Sequence, residues 1–399
     1  REMRRPRVLL VTPLPPYPPD NGGMIRVLTL ARACAKRADI SLLTFVRDSG
    51  ERRFQQNASA MALGRVFREV HTVPLETTGL PPEACPDLPR IAADWYSPEM
   101  AARVRELSPH FDVVHIEFLS MAFYAYFVRG ARKVLTEHDL SHLSLSRSYF
   151  REWAGPKRKS HVEEWRRVRR FHRSVCSLYD RVVTLTPDDL ALLRRSVPGV
   201  RTALIPTGVD CARFAFRPES EAAIDLDLAF VGHYPHYPNE DAALWFALRV
   251  LPLIRRARPA ASFALVGSSP TPAVSALAGE GVTVTGTVPD VRPWLDRSRI
   301  FVAPVRLGFG VKGKVLEAFA RGRAVVATRG VARGLAGAVP GRHLLAADSP
   351  REFADACLSL LERPARRTQF AARGRAFVEK NCDWSLSTRL LSGLYEDLE

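Results

Sequence analysis

Short apolar runs alternate with amphipathic stretches along most of this 399-residue chain. In the first half, the apolar runs are rich in β-branched residues and predict strands, and residues 24–36 between them have helical periodicity. The predicted strands cover residues 7–12, 40–46, 70–74, 113–116, 133–136 and 181–184. Alternation of this kind is typical of parallel sheets covered by helices.

A second series of the same kind begins after Ile205. Its predicted strands cover residues 228–231, 262–266, 282–285, 300–303 and 324–327, and its predicted helices cover residues 241–256, 291–296 and 314–320. The polar stretch 210–227 is the predicted linker. We therefore expect an α/β protein with two doubly wound, Rossmann-like domains. Ligands of such sheets bind beyond the carboxyl ends of the strands, so a cleft between the two domains is expected.

Composition is ordinary for a globular protein, with 46% hydrophobic and 25% charged residues. No apolar run approaches the roughly 18 residues that cross a bilayer. The six cysteines form no C-x-x-C pair and have no histidine at zinc spacing. These features predict reduced thiols, a cytoplasmic location and no metal site.

The net charge of +16 is most concentrated in residues 151–173, which contain nine basic and three acidic residues. An apolar stripe runs through the same region and predicts one amphipathic helix: Trp165, Val168, Phe171, Val175 and Leu178. The basic side chains then form either a solvated face or a peripheral contact with an anionic membrane or phosphorylated acceptor. Nucleic acid is not an expected partner, because no nucleic-acid-binding module is recognisable.

Residues 308–328 carry the most specific candidate chemistry. A glycine-rich turn with Lys312 and Lys314 leads into a predicted helix that contains Glu317. Glycines, lysines and a helix N-terminus suit a diphosphate, and a carboxylate suits the hydroxyls of a ribose. The segment therefore predicts a nucleotide-sugar site, although an ordinary helix with solvated lysines has the same pattern.

Seven segments, in this order, resemble GT-B glycosyltransferases of glycosyltransferase family 4, and in particular the bacterial branch of exopolysaccharide and PEP-CTERM-associated sugar transferases. They are residues 15–26, 112–122, 134–140, 205–210, 230–246, 282–295 and 308–328.

The resemblance implies an enzyme of bacterial polysaccharide biosynthesis. It would be a retaining, metal-independent transferase that moves a hexose-type sugar from a UDP- or GDP-linked donor to a glycan, lipid-linked or small-molecule acceptor. No separate cofactor is expected. The implied domains are residues 1–212 on the acceptor side and 222–380 on the donor side, with a helix over 381–399 that returns to the first domain near Trp384.

The resemblance also implies roles for individual residues. His138 would be the catalytic residue and would contact the donor sugar. The implied donor-binding residues are Gly22, Gly23, His233, Val288, Arg306, Gly310, Val311, Lys312, Lys314 and Glu317. The implied acceptor-side residues are Asp20, Asn21, His115 and Glu117. A plain turn at the two glycines and a packed role for His115 are the simpler alternatives.

The sequence departs from the family pattern at two places. Phe309 stands where many members have the first of two glutamates. His233 and Tyr234 stand where many members begin an arginine and lysine pair for the diphosphate. Lys312 and Lys314, with Arg306, are expected to compensate. Asp225 and Asp227 form a D-x-D pair, which we interpret as linker charges because no strand ends there.

Two other functions fit parts of the pattern. One is a UDP-sugar epimerase of GT-B fold, which would need paired carboxylates that the predicted loops of the first domain do not offer. The other is an inactive basic scaffold that binds anionic polymer or membrane. Such a scaffold would have lost donor-site residues, yet Lys312, Lys314 and Glu317 are all present.

Overall fold

The computed structural model of the chain describes residues 4–19, 21–46, 58–75, 88–138, 140, 158–307 and 313–399. The chain forms two compact units, Arg1–Pro206 with Ser387–Glu399, and Thr207–Leu386. Each unit is built on one parallel sheet. The α/β fold expected from the alternating pattern is therefore confirmed.

The sheet of the first unit has seven parallel strands in the order β3-β2-β1-β4-β5-β6-β7. They are β1 (Arg7–Thr12), β2 (Asp39–Val46), β3 (Val70–Pro74), β4 (Val113–Glu117), β5 (Arg132–Glu137), β6 (Arg181–Thr184) and β7 (Thr202–Leu204). Nearly every side chain of β1, β2 and β4 is buried, which explains why these strands are continuous apolar runs and do not alternate. The short, half-buried β7 was not predicted.

The helices of the first unit are α1 (Gly22–Cys34), α2 (Ala58–Gly64), α3 (Arg90–Ala93), α4 (Pro98–Leu107), α5 (Arg158–Cys176) and α6 (Pro187–Ser196). Asn21, Ser97 and Thr186 start α1, α4 and α6, because each side chain accepts a hydrogen bond from a free amide of the first turn. A stretch of 3₁₀ helix, Leu119–Phe127, follows β4.

The sheet of the second unit has six parallel strands in the order β10-β9-β8-β11-β12-β13. They are β8 (Leu226–Val231), β9 (Phe263–Val266), β10 (Val282–Val284), β11 (Ser298–Ala303), β12 (Ala324–Ala327) and β13 (Leu345–Ala346). The reversal of chain order between β8 and β11 is the switch point at which doubly wound sheets bind ligands.

The helices that follow are α7 (Tyr237–Trp245), α8 (Leu251–Ala257), α9 (Pro272–Ser275), α10 (Arg292–Arg297), α11 (Gly313–Ala320), α12 (Arg329–Arg333), α13 (Pro350–Leu361), α14 (Pro364–Asn381) and α15 (Trp384–Leu398). The single helix predicted over 241–256 is wrong in detail, because a π-helical turn, Phe246–Val250, separates α7 from α8. Pro252 follows at the start of α8, and its missing N–H prevents a regular α-helical ladder through this region.

Two connections shape the ends of these sheets. Gly267 follows β9 with φ +142, and a Cβ there would lie 1.8 Å from the carbonyl oxygen of Gly232, so the loops after β8 and β9 touch only because the residue is glycine. The last helix returns to the first unit, where the Ser387 hydroxyl donates to the Pro206 carbonyl at 2.7 Å and Glu396 pairs with Arg37 at 2.9 Å.

Candidate functional site

Polar side chains gather where β4 and β5 end in the first unit. The parallel register places Glu117 opposite Thr136, and His138 follows β5 by one residue. His115, Glu117 and Thr136 are all buried. Buried polar groups need partners, so their hydrogen bonds define what this edge of the sheet can do.

His115 is held inside the unit by two hydroxyl groups. Its Nε2 lies 2.7 Å from Oγ1 of Thr136, and its Nδ1 lies 2.6 Å from the hydroxyl of Tyr395 on α15. Burial lowers the pKa of His115, although nearby Glu117 opposes this, so the ring is neutral near pH 7. Both ring nitrogens are therefore engaged in joining β4, β5 and the last helix.

Glu117 is bound to His138. Nε2 of His138 lies 2.7 Å from Oε2 of Glu117, whose side chain is buried. Burial alone would raise the pKa of Glu117, but the hydrogen bond from His138 and the charge of the buried Arg26 lower it, so the group is a carboxylate. Glu117, which we expected on the acceptor side, thus uses one carboxylate oxygen on His138.

Phe118 completes the surroundings of His138. The two rings are stacked, with centroids 3.9 Å apart and planes inclined by 9°. Phe118 has φ +73 and ψ +140, a backbone conformation that costs a non-glycine residue on the order of 1–3 kcal/mol. Such strain persists only where the surroundings impose it, and it is typical of functional sites.

The start of α1 lies against this cluster. A Cβ on Gly23 would lie 2.8 Å from Cζ of Phe118, so the Phe118 ring packs directly on the backbone of Gly23. A Cβ on Gly22 would meet no atom within 4 Å. Asn21 caps the helix through Oδ1, which accepts from the amide of Met24 at 3.1 Å. Asp20 lies outside the described residues.

In the second unit, Lys314 stands near the start of α11, and its ammonium reaches the end of β8 and the first turn of α7. Nζ donates to Oδ1 of Asn239 at 2.7 Å and lies 4.5 Å from the centre of the Phe230 ring. Asn239 in turn donates through Nδ2 to the carbonyl of His233 at 2.8 Å, while Nδ1 of His233 lies 2.8 Å from the hydroxyl of Ser268. One positive charge is therefore fixed at the switch point of the sheet.

Glu317 lies one turn further along α11 and is half-buried. Burial raises the pKa of Glu317, and the charges of Arg213 and Lys314 partly oppose this effect. Among the described residues, none donates a hydrogen bond to the carboxylate. Arg213 was missed by the sequence analysis, because it lies in the predicted linker and approaches Glu317 only through the fold.

Two other predicted donor-binding residues have partners within the protein. Arg306 forms a bidentate ion pair with Asp241 on α7, with Nε 3.1 Å from Oδ2, so its charge is already neutralised. Val288 packs against the face of the sheet at a small apolar cluster that includes Leu226 and Val266. Gly310, Val311 and Lys312 lie outside the described residues.

Asp225 precedes β8, as the linker interpretation has it, but Asp227 lies within the strand, which begins at Leu226. Asp225 pairs with Arg297 at 2.6 Å, and buried Asp227 pairs with Arg258 at 3.0 Å and Arg299 at 3.4 Å. Both carboxylates are at the amino end of the strand. They stabilise the start of the sheet through ion pairs.

One group of potential metal ligands occurs in the described part of the chain, namely Glu137, His172 and Cys176. All three are buried, and the sequence analysis missed them because they come from β5 and the distant helix α5. Oε1 of Glu137 lies 2.8 Å from Nε2 of His172 and 3.7 Å from Sγ of Cys176. Two ligands of one tetrahedral zinc ion would be about 3.3 Å apart. The shorter carboxylate–imidazole distance is that of direct contact between the two side chains.

The basic helix α5 is amphipathic as predicted, but it ends at Cys176, so Leu178 lies beyond it; residues 151–157 of the basic region lie outside the described residues. Val168, Phe171 and Val175 are buried in the core, whereas Arg166, Arg167, Arg169, Arg170 and Arg173 are exposed. Arg169 lies over the Trp165 ring at 4.7 Å, and Arg167 pairs with Glu164 at 3.2 Å. The helix therefore presents a largely basic face to solvent.

Comparison with protein-family models identifies both halves of the chain. Residues 21–213 match the model described as Glycosyltransferase Family 4, and residues 225–363 match the model described as Glycosyl transferases group 1. The chain belongs to glycosyltransferase family 4. The models do not distinguish the exopolysaccharide branch, so that part stays a prediction. No curated protein sequence matches the chain.

Solved structures share the fold of this glycosyltransferase at low sequence identity. Sucrose-phosphate synthase from Thermosynechococcus elongatus matches with a TM-score of 0.72 and 17% identity over 99% of each chain. HepE from Anabaena matches with a TM-score of 0.70 and 13% identity over 98% of this chain and 100% of HepE. A Listeria monocytogenes protein assigned as a UDP-N-acetylglucosamine 2-epimerase matches with a TM-score of 0.55 and 14% identity over 100% of this chain and 97% of that one.

These structures establish the GT-B fold and do not by themselves identify donor or acceptor. Within the described residues, no helix of the glycosyltransferase is both long and apolar enough to cross a membrane.

Proposed function

We propose that this glycosyltransferase moves a hexose-type sugar from a nucleotide-diphosphate sugar to a glycan, lipid-linked or small-molecule acceptor, with retention and without a metal ion. One observation carries the proposal. Lys314 and Glu317 stand one turn apart on α11, at the switch point of the second sheet, with the ammonium fixed and the carboxylate accepting no hydrogen bond from any described residue. The ammonium suits a diphosphate, and the carboxylate suits the two hydroxyls of a ribose.

The donor contacts follow from this pair. A half-buried carboxylate costs free energy unless it is hydrogen-bonded, and the two hydroxyls of a ribose would supply the missing donors. Lys314, Lys312 and the amides around Gly310 and Val311 would neutralise the diphosphate. Val288, at the edge of the apolar cluster on the sheet, would pack near the base.

The position of Lys314 supports compensation for the missing arginine and lysine after β8. Its ammonium is bonded to Asn239, which is itself bonded to His233, so the charge reaches the segment where other family members carry those cations. Arg306 contributes less than we expected, because Asp241 already binds its guanidinium.

The chemistry we propose is attack on the face from which the leaving group departs. His138 would contact the donor sugar, and an oxygen of the leaving diphosphate would accept the proton from the acceptor hydroxyl. Fixed positive charge would stabilise the developing diphosphate, an effect that supplies several kcal/mol in other enzymes. HepE, which shares the fold, has been solved with UDP and glucose and with UDP-glucose, which supports a UDP-linked donor over a GDP-linked one.

The acceptor contacts are proposed at the start of α1. Asn21 and the unobstructed Gly22 are candidates there, together with Asp20. His115 and Glu117 are bonded to protein groups, so we propose that they shape this region without binding the acceptor directly.

A panel of UDP- and GDP-sugars tests the function, with EDTA present in half of the reactions. We expect slow release of nucleoside diphosphate from one donor, unchanged by EDTA because protein cations hold the diphosphate. A new epimer of the sugar nucleotide would indicate an epimerase, which is the activity assigned to the Listeria protein of the same fold. No reaction with any donor would favour a scaffold. Activity that is lost in EDTA and restored by manganese would refute the metal-free mechanism.

Substitution of Glu317 tests the ribose contact. Each hydrogen bond between a hydroxyl and a carboxylate contributes roughly 1.5–3 kcal/mol, so Glu317→Gln should weaken nucleotide binding about 10- to 150-fold. Because burial raises the pKa of Glu317, wild-type affinity should also fall on acidification at a higher pH than for an ordinary glutamate. Calorimetry with UDP measures both effects, and the exposed Glu280→Gln is the matched control. An unchanged dissociation constant in folded Glu317→Gln would remove the assignment.

Substitution of Lys314 tests the diphosphate contact. Lys314→Met should lower turnover on the order of 100-fold, as for loss of one fixed donor to a developing charge, and should change binding of a nucleoside monophosphate much less. Arg306→Met is the comparison variant and should cost less, since Asp241 already neutralises that charge. Steady-state kinetics and UMP titration provide the two measurements. Equal losses in turnover and in UMP affinity would argue against a role at the diphosphate.

Charge reversal on α5 tests the contact with an anionic membrane. Each exposed basic residue near such a surface contributes about 1 kcal/mol, within a Debye length of about 10 Å at 0.1 M salt. We expect arginine-to-glutamate changes on α5 to abolish co-sedimentation with anionic liposomes at low salt and to leave donor hydrolysis near wild type. The residues to change are Arg166, Arg167, Arg169 and Arg170.

The control for this experiment reverses four exposed arginines of the second unit, namely Arg333, Arg342, Arg363 and Arg373. If the control variant loses liposome binding equally, net charge and not α5 explains the attraction. If the wild-type protein ignores the liposomes, the basic face is only solvated.

A further inference from the structure

The His138 ring is held by two neighbours of different chemistry. Glu117 accepts a hydrogen bond from Nε2 at 2.7 Å, and the Phe118 ring covers one face of the imidazole at 3.9 Å between centroids. Only 12% of the His138 side chain is exposed, compared with 6% for Glu117. The stacked Phe118 ring therefore fixes the plane of the imidazole, and the hydrogen bond to Glu117 fixes its orientation within that plane.

The hydrogen bond to Glu117 also determines which ring nitrogen a substrate can use. With Nε2 bonded to the carboxylate, Nδ1 is the ring nitrogen left for a substrate. Among the described residues, none bonds to Nδ1 of His138. This nitrogen can therefore form a hydrogen bond with a hydroxyl group.

Phe118 is itself constrained from two sides. Its ring packs against the backbone of Gly23 on α1, and its amide donates to the carbonyl of Thr136 on β5 at 3.0 Å. Its left-handed backbone conformation, with φ +73, directs the ring between α1 and His138. The packing of three elements thus determines the position of one imidazole.

We propose that Glu117 and Phe118 are positioning residues that hold His138 with Nε2 bonded to the carboxylate and Nδ1 directed to a hydroxyl of the donor sugar. The part concerning the sugar rests on the proposed function. Glu117 touches no substrate in this proposal. It fixes the orientation of the His138 ring, as the carboxylate partner of a histidine does in other sites.

Nitrogen-15 NMR of histidine-labelled protein tests the positioning without reference to activity. We expect one ring N–H proton protected from exchange that is missing in His138→Gln and in Glu117→Ala. Glu137→Gln is the matched control, because Glu137 is an equally buried glutamate beside His138 that pairs with His172 instead. Persistence of the signal in Glu117→Ala, or its loss in Glu137→Gln, would overturn the proposal.

A second variant covers the case in which Glu117→Ala does not fold. Glu117→Gln keeps an acceptor of nearly the same shape and loses the charge, so the ring proton should shift upfield as the hydrogen bond weakens. A signal that does not move when the carboxylate becomes an amide would likewise overturn the proposal.

Kinetics then connect the positioning to the reaction. Glu117→Ala should lower kcat roughly 10- to 100-fold with little change in the KM for the donor, and Glu117→Gln should recover part of the loss. Phe118→Leu, which removes the stacked ring, should lower kcat in the same way. If the protected N–H is present and no sugar nucleotide reacts, the proposed function fails and the positioning stands. If the enzyme is active and Glu117→Ala has wild-type kcat, the positioning fails and the function stands.

Discussion

Glu117 lies opposite Thr136 in the register of β4 and β5, and the position of each polar group at that edge of the sheet follows from this pairing. His115, two residues before Glu117 on the same face of β4, reaches the Thr136 hydroxyl, and His138 reaches the Glu117 carboxylate. A shift of the register by one residue would turn these side chains to the opposite face. Both strands are buried on both faces at this end, so the shift would leave His115, Glu117 and Thr136 buried without these partners, which is costly.

The same topology supports a different electrostatic arrangement in the second unit. There the carboxylate of Glu317 accepts no hydrogen bond from the described residues, and burial raises its pKa. In the first unit the carboxylate of Glu117 is bonded, and its pKa is lowered. A carboxylate that already has partners serves the structure of the site, whereas one without them favours a ligand that brings donors. The two glutamates therefore differ more in their hydrogen-bond partners than in their burial.

Periodicity predicted most of the fold, because buried parallel strands are continuous apolar runs whatever their neighbours are. Every predicted strand is present, whereas β7 and β13 were missed because they are short and half-buried. The candidate site was less predictable. The bond between Glu117 and His138 depends on strand register, the pairing of Arg306 with Asp241 spans 65 residues, and the cluster of Glu137 with His172 joins a strand to a distant helix. Local sequence carries no information on such contacts.

Adjacent glycines at the start of α1 require separate explanations. Gly23 is needed by the protein itself, because any Cβ would collide with the Phe118 ring that covers His138. Gly22 has no such need: it is helical, and a Cβ there would meet no described atom within 4 Å. Gly22 is the first residue of α1, and no packing contact explains a glycine there. Close approach of a ligand to the first amides of α1 would explain its presence, which supports the substrate contacts proposed for this helix end.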